Sequence, residues 1–364
     1  MTRRGRRAGC GQEVPAMAEG AAPDRPAPPG HPTLRQVAEA AGVSIKTASR
    51  ALNDEPHVAP RTSERVRAAA DALGYRRNLL ARDLRTRSAS TAVGMVIADA
   101  ANPFYNGISL AAGATLAEAG MLLFLGFSDE DPALEARTVQ GFLERRVAGL
   151  LVVSSRTEHP ELRSAIQQGV PVVFLDRPAR DLAVDQVLFD NIGGAISAIQ
   201  HLLAQGHRRI GVIGDHGALP THRERISGVR RALREASIEI DERLLLTDAQ
   251  DAAGAEAALE RLLASPDPPT AVFTTNNRMM VGALHACARR SSPPALIGFD
   301  DLELADVLGT SVVANSPEEM GRRGAAMLLE RIGGLTDRPR RVRLPTHLVP
   351  HRSTATSVPR DAEA

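Results

Sequence analysis

Lys46 is the sole lysine of the 364-residue chain, and Arg50 follows it one helical turn later in TLRQVAEAAGVSIKTASRALN, residues 33–53. Side chains at i and i+4 share one face of a helix. An Arg fork can bond guanine N7 and O6 together, a Lys reaches the same acceptors less directionally, and Ile45 beside them can touch a thymine methyl. Three such residues opening one short helix suit the reading of base edges in a major groove. The same pattern also fits an ordinary α-hairpin with a charged face.

The elements that would position these residues are well punctuated. Thr33 and Gln36 have the spacing of a capping box, which predicts a helix from Leu34. Leu34, Val37, Ala38 and Ala41 then form one apolar face. Gly42 can take the positive φ that ends a helix. Ser44 is a good N-cap for the next one, with Val43 placed to staple against Ala48. Helix, tight turn, helix is the helix-turn-helix pattern, whose second helix presents its N-terminal residues to DNA. RTSERVRAAADALGYRRN predicts a third helix with Val66, Ala69, Ala70 and Leu73 on one side and Gly74 at its end.

Charge is divided along the chain. Residues 1–90 carry 16 Lys+Arg against 9 Asp+Glu, a net of +7, whereas the remainder carries 28 against 34, a net of −6. A basic head on an acidic body points to a polyanionic partner for the head alone. Residues 1–30, rich in Pro, Ala and Gly, read as a disordered tail without the apolar segment of a secretory signal, and Met17 is an alternative start. Two distant cysteines, Cys10 and Cys287, form no disulfide framework or metal cluster, which fits a reducing cytoplasm. No apolar run is long enough for a membrane span.

From Thr91 onward, apolar runs alternate with helical stretches. TAVGMVIAD, MLLFLGFS, GLLVVS, PVVFLDR, RRIGVIGD, TAVFTTN and ALIGFDD all read as buried parallel strands. The alternation predicts doubly wound α/β sheets, two of them at this length. Asp99, Asn102, Asp176, Asp190, Asn276 and Asp300 follow strand ends, where ligands bind in such sheets. A cleft between two lobes is expected there.

With these motifs in order, the chain resembles the LacI/GalR bacterial transcription regulators, through TLRQVAEAAGVSIKTASRALN, RVRAAADALGYRRNLLARDLR and a body reaching about residue 355. The resemblance implies a small all-α helix-turn-helix headpiece plus an α/β two-lobed, periplasmic-binding-protein-like sensor domain with two doubly wound parallel sheets. It implies that Ile45, Lys46 and Arg50 read bases, and that Thr47, Ser49, Asn53, His57 and Asn78 contact phosphates. NLLARDL would be a hinge helix with Leu84 wedged into the minor groove. Asn102, Phe104, Asp190, Arg225, Asn276 and Asp300 would hold an effector, carboxylates, amide and guanidinium together suiting a vicinal diol or a nucleobase edge. Departures from the family pattern are Ala48 for Val, Ala59 for a Ser cap, Arg77 for Pro, Asp83 beside Leu84 in the hinge, Asn277 for Asp, and a short segment before GFDD.

The expected organisation is a tail (1–30), headpiece (31–77), hinge and linker (78–90), sensor (91–355) and tail (356–364). Within the sensor, the N-lobe is expected at about 91–189 and 316–340 and the C-lobe at about 190–315 and 341–355. The expected function is a sequence-specific regulator, a repressor by family default, binding palindromic operator DNA as a homodimer under control of a sugar or nucleoside. No cofactor, metal or membrane is expected. A solute-binding module without a transcriptional role is the alternative. Catalysis finds little support. GVIGDHG lacks dinucleotide spacing, the body holds no lysine for a P-loop or Schiff base, and neither H-E-x-x-H nor G-x-S-x-G occurs. The chain has no Trp, so an aromatic platform for a ligand would fall to Phe104, Phe124 or Phe127. The C-terminal STATSVPRDAEA has no heptad repeat for a tetramerisation helix.

Overall fold

A computed structural model describes residues 32–53, 55–76, 90–156 and 158–354. Two compact units divide at Ser88 and Ala89. The first holds α1 (Leu34–Ala40), α2 (Ile45–Leu52) and α3 (Pro60–Ala72). Both halves of the Thr33–Gln36 capping box form. Gly42 adopts φ +61°, and Ser44 Oγ accepts the Thr47 N–H at 3.1 Å to start α2. Ala59 gives α3 no side-chain cap, so Pro60 starts that helix by its fixed φ. Val37, Ala38, Ala48, Ala51, Val66 and Ala70 make the small core. Leu73 was expected on that face, but it is 39% exposed at the end of α3, where the chain turns away at Gly74.

The second unit begins with β1 (Ala92–Ile97), α4 (Pro103–Glu118), β2 (Leu122–Phe127), α5 (Pro132–Glu144) and β3 (Gly149–Val152). It continues through α6 (Pro160–Gln167), β4 (Val172–Leu175), β5 (Asp185–Phe189), α7 (Asn191–Ala204) and β6 (Ile210–Ile213). Next come α8 (Pro220–Glu235), β7 (Leu245–Leu246), α9 (Ala252–Leu263), β8 (Ala271–Thr274) and α10 (Asn277–Ala288). The last elements are β9 (Ala295–Phe299), α11 (Ala305–Leu308), β10 (Ser311–Ala314), α12 (Pro317–Ile332), β11 (Arg341–Leu344) and β12 (His347–Val349).

Two six-stranded sheets result, ordered β11-β5-β4-β3-β1-β2 and β12-β10-β9-β8-β6-β7. Pairing is parallel throughout except between β10 and β12. The first sheet and α12 form the N-lobe, and the second forms the C-lobe. α12 can lie close along α4 because Gly321 has no Cβ, an added one meeting the Ile108 carbonyl at 2.2 Å.

Two expectations are corrected. MLLFLGFS contributes β2, but as an edge strand whose Leu122, Phe124, Leu125 and Phe127 are exposed. An apolar run alone does not separate a central strand from a face left for something else. The lobe boundary at residue 340 is also displaced. Arg341–Leu344 runs parallel to Gln186–Phe189 in the N-lobe sheet, because Val342 and Leu344 pack on that lobe's core. The chain therefore crosses between lobes after Phe189, after Ala314 and after Leu344.

Candidate nucleic-acid interface and ligand cleft

In the headpiece, Ile45, Lys46 and Arg50 are all exposed, Ile45 by 48% although it is a large aliphatic side chain. Such exposure next to two cations is unfavourable in water alone. Arg50 Nε lies 3.6 Å from Glu55, which restrains the guanidinium without burying it. Thr47 bonds the Ser44 hydroxyl at 2.8 Å, Asn53 caps α2 and reaches Ser49 at 3.5 Å, and His57 is exposed with a left-handed backbone at φ +78°. Asn78 and Leu84, and with them the expected hinge helix, lie outside the described residues.

The cleft is built at the carboxyl ends of the strands of both lobes. Asp176 follows β4 and Asp300 follows β9, and both take positive φ, +64° and +67°. Asp tolerates this backbone better than most residues, and such strain is retained where the fold over-determines it. The two acids thus project from matching positions in the two lobes. In the N-lobe, Arg177 is buried, donating to Glu130 at 2.7 Å, to the Ser154 carbonyl at 3.0 Å and to Tyr105 Oη at 3.0 Å. In the C-lobe, Arg225 lies over Phe299, its Cζ 3.8 Å from the ring centre. Its fork bonds both oxygens of Asp300 at 3.2 and 3.3 Å, its Nε bonds Asn191 at 2.9 Å, and Nη1 reaches the Thr275 carbonyl.

Two contacts bridge the lobes. Asn277 Nδ2 donates to Asn102 Oδ1 at 2.9 Å, and Arg278 pairs with Asp99. Behind them, Asp215 receives Asn276 Nδ2 at 2.7 Å and bonds His222 at 3.0 Å.

Electrostatics separate these acids. Burial pushes the Asp176 carboxyl up to about 6, against the pull of Arg177 and Arg225. Burial raises Asp215 too, but the hydrogen bond and charge of His222, together with the charges of Arg225 and Arg177, outweigh it and leave that acid below the usual range. Burial holds the Tyr105 hydroxyl well above its ordinary value. Arg225 and Asp300 of the opposite lobe also act on the Asp176 carboxyl, the first lowering and the second raising it. The open hollow lined by Arg209, Arg243, Leu244 and Arg261 shares none of these residues.

Of the expected effector residues, the structure joins Arg225 to Asp300 directly and brings Asn102 to the cleft through Asn277. Asn276 turns its amide nitrogen to Asp215, while its oxygen caps α10 at 2.9 Å. Asp190 sits at the first lobe crossing with its carboxylate capping α7 at 3.1 Å and Arg343 at 3.7 Å, and it is the neighbouring Asn191 that joins Arg225. Phe104 packs in the N-lobe core against Tyr105 and Phe189, at 5.1 and 6.0 Å between ring centres. Of the rings to which a ligand platform would fall, Phe104 is buried against the N-lobe core, and Phe124 and Phe127 lie on the exposed edge strand. Tyr105, Arg177, Asn191, Asp215, His222 and Asn315 were not read from the sequence. Asp215 after β6 and Asn315 after β10 were within reach of the strand-end rule.

Residues 33–78 match the family model for bacterial regulatory proteins, lacI family. Residues 90–352 match that for periplasmic binding proteins and the sugar binding domain of the LacI family. The HTH-type transcriptional regulator CelR of Thermobifida fusca is 36% identical over 332 residues, 87% of this chain and 97% of its own. The ribose operon repressor of Escherichia coli (strain K12) is 31% identical over 320 residues, 86% of this chain and 96% of its own. A CelR–cellobiose complex superposes with a TM-score of 0.66 at 34% identity, covering 89% of this chain and all of that one. The lac repressor dimer bound to operator and the anti-inducer ONPF shares the fold, with a TM-score of 0.77 at 24% identity over 90% of this chain and all of that one.

Proposed function

We propose, from the premise that this chain belongs to the lacI family of bacterial regulatory proteins, that it is a DNA-binding repressor whose hold on a palindromic operator is set by a small molecule in the interlobe cleft. The observation that carries this reading is the exposed triplet Ile45, Lys46 and Arg50 on α2, held by a correctly capped turn. Those three residues read bases, while Thr47, Ser49, Asn53 and His57 take phosphates, positioning the helix without specifying sequence. Asn78 and Leu84 complete the contact in the same reading.

The protein acts as a homodimer. Leu110 on α4 is 76% exposed, and the edge strand β2 exposes Leu122 and Phe124 on one side and Leu125 and Phe127 on the other, leaving apolar surface on the N-lobe. Leu304, Val307 and Leu308 do the same on the C-lobe. A two-fold pair would cover these faces and place two headpieces on two half-sites. Asn102, Phe104, Asp190, Arg225, Asn276 and Asp300 belong to the effector site in this reading, with Phe104 and Asp190 shaping its wall and hinge. The effector works only through a difference in affinity for two lobe arrangements. Regulation from the cytoplasm, without catalysis, fits the cysteine usage and the family. No described helix is long and apolar enough to cross a membrane.

Selection of binding sites from a random DNA library with the purified protein tests the proposal. A two-fold palindrome is the expected product, and Arg50→Ala should weaken its enrichment and relax it at one position of each half-site. A library left unenriched with and without saccharides favours a solute-binding module instead.

A further inference from the structure

We propose that the cleft is built for an uncharged ligand that brings at least three hydrogen-bond donors, a free saccharide rather than a sugar phosphate or sugar acid. The inference deepens the reading of the cleft as the effector site and rests on it.

Three buried oxygens of the cleft have no hydrogen-bond partner: Asp176 Oδ1, Asn277 Oδ1 and Asn315 Oδ1. The orientation of both amides is fixed by their neighbours. Asn315 Nδ2 donates to Asp300 Oδ1 at 2.7 Å, and an ionised carboxylate can only accept, so the Asn315 oxygen must face the other way. Asn277 Nδ2 donates to Asn102 Oδ1, which already accepts the Phe104 N–H at 3.1 Å as the cap of α4. Turning either amide would set oxygen against oxygen. All three orphan atoms are therefore acceptors, and buried acceptors without partners are rare in folded proteins. A ligand that satisfies them must supply hydrogens, as hydroxyl groups do.

The cations tell the same story. Arg177 is held by Glu130, Arg225 by Asp300 and Arg278 by Asp99. The only lysine of the chain, Lys46, is in the headpiece. Around the cleft, Asp99, Asp176, Asp300, Asp215 and Glu130 outnumber the guanidiniums of Arg177, Arg225 and Arg278. A phosphate or carboxylate entering here would meet acceptors and like charge, and each of these described guanidiniums is already paired with a carboxylate; the one unpartnered donor beside the three oxygens, Arg177 Nε, lies 3.7 Å from the Asp176 carboxylate. Rejection of the anionic relative is built in by charge.

The test uses the full-length protein and matched probes: cellobiose with cellobionic acid, ribose with ribose 5-phosphate, and glucose with glucose 6-phosphate. Thermal shift and titration calorimetry should show at least one neutral member binding, at least tenfold tighter than its anionic partner. An anionic member that binds as tightly as its neutral partner overturns the proposal, as does a panel in which no neutral saccharide binds. Asp176→Asn keeps a residue tolerant of positive φ and removes one charge. It should bring the neutral and anionic affinities several-fold closer, and an unchanged ratio overturns the role given to Asp176. The operator selection is independent of both arms. A palindrome recovered while only anions bind leaves the regulator reading standing and this inference refuted. Saccharide binding without any selected DNA does the reverse.

Discussion

Asn277 Nδ2 lies 2.9 Å from Asn102 Oδ1, joining the first residue of α10 in the C-lobe to the cap of α4 in the N-lobe. Asn102 Oδ1 is already an acceptor for α4, so its partner must be a donor. The Arg278–Asp99 pair stands beside it. Asn277→Asp replaces that donor with a carboxylate and sets oxygen against oxygen across the cleft. The closed arrangement should lose on the order of 1–3 kcal/mol. Small-angle scattering of the free variant should show a more extended body, and saccharide titration a roughly tenfold or greater loss of affinity. An unchanged scattering profile would remove this bond from any account of lobe closure.

Among the described residues the Arg50 side chain pairs with Glu55 at 3.6 Å, and it is no part of the headpiece core. Arg50→Ala should therefore leave the melting temperature within about a degree while weakening operator binding by about 1–3 kcal/mol at one base position. Fluorescence anisotropy on operator variants substituted at each position checks this. Loss spread evenly over all positions would make Arg50 a phosphate contact instead.

The exposed side chains of β2 are expected to be covered by a second copy. Leu122 and Phe124, two residues apart on an edge strand, share one face. Changing both to Glu removes roughly 1.5–3 kcal/mol of burial per side chain and adds repulsion. Sedimentation equilibrium should then find monomers, with operator affinity falling in parallel. A dimer that persists would place the interface elsewhere.

Two acids give opposite pH dependences. Asp185 is buried, and although burial raises it, bonds from Arg331, Arg340 and the Arg340 N–H bring it down to about 2. Its contribution, on the order of 2 kcal/mol, is present above about pH 4 and lost as pH falls through the folded value. Asp185→Asn should lower the melting temperature at pH 7 and have little effect near pH 2. Asp176, raised to about 6, does the reverse. The folded state holds its proton more tightly than the unfolded one, so this group costs stability as pH climbs from about 4 to 6, by on the order of 2–3 kcal/mol. Asp176→Asn should raise the melting temperature at pH 7.5 and leave it unchanged near pH 4. Equal shifts at both pH values would contradict a titrating Asp176. Ligand hydroxyls that bond the carboxylate would favour its charged form, so saccharide binding near pH 6 should release protons, visible as a buffer-dependent calorimetric heat.

The headpiece was legible because its signals are local. A cap needs its partner three residues away, as Thr33 and Gln36 are, and a turn glycine such as Gly42 needs only its own φ. The same holds for β1, β3, β4, β6, β8 and β9, whose apolar runs mark buried strands. Asp185–Phe189, Ser311–Ala314 and Arg341–Leu344 are not marked in this way. Asp185 and Gln186, or Arg341 and Arg343, interrupt the apolar run, and these polar groups become acceptable only through partners such as Arg331 and Arg340, more than 140 residues from Asp185.

By itself the amino-acid sequence determined the three headpiece helices, the basic face of the second, the α/β alternation of the body and a set of polar residues at strand ends. Only the tertiary structure decided which of those residues meet. It left Asp190 on a helix cap and gave its place beside Arg225 to Asn191. It turned β2 outward, and it joined Asn102 to Asn277 across 175 residues of chain. Helix caps and strand runs follow from short-range sterics and solvation, which a few neighbouring residues specify. Contacts across the cleft depend on where the chain crosses between lobes three times and how each sheet packs, and no local pattern carries that information.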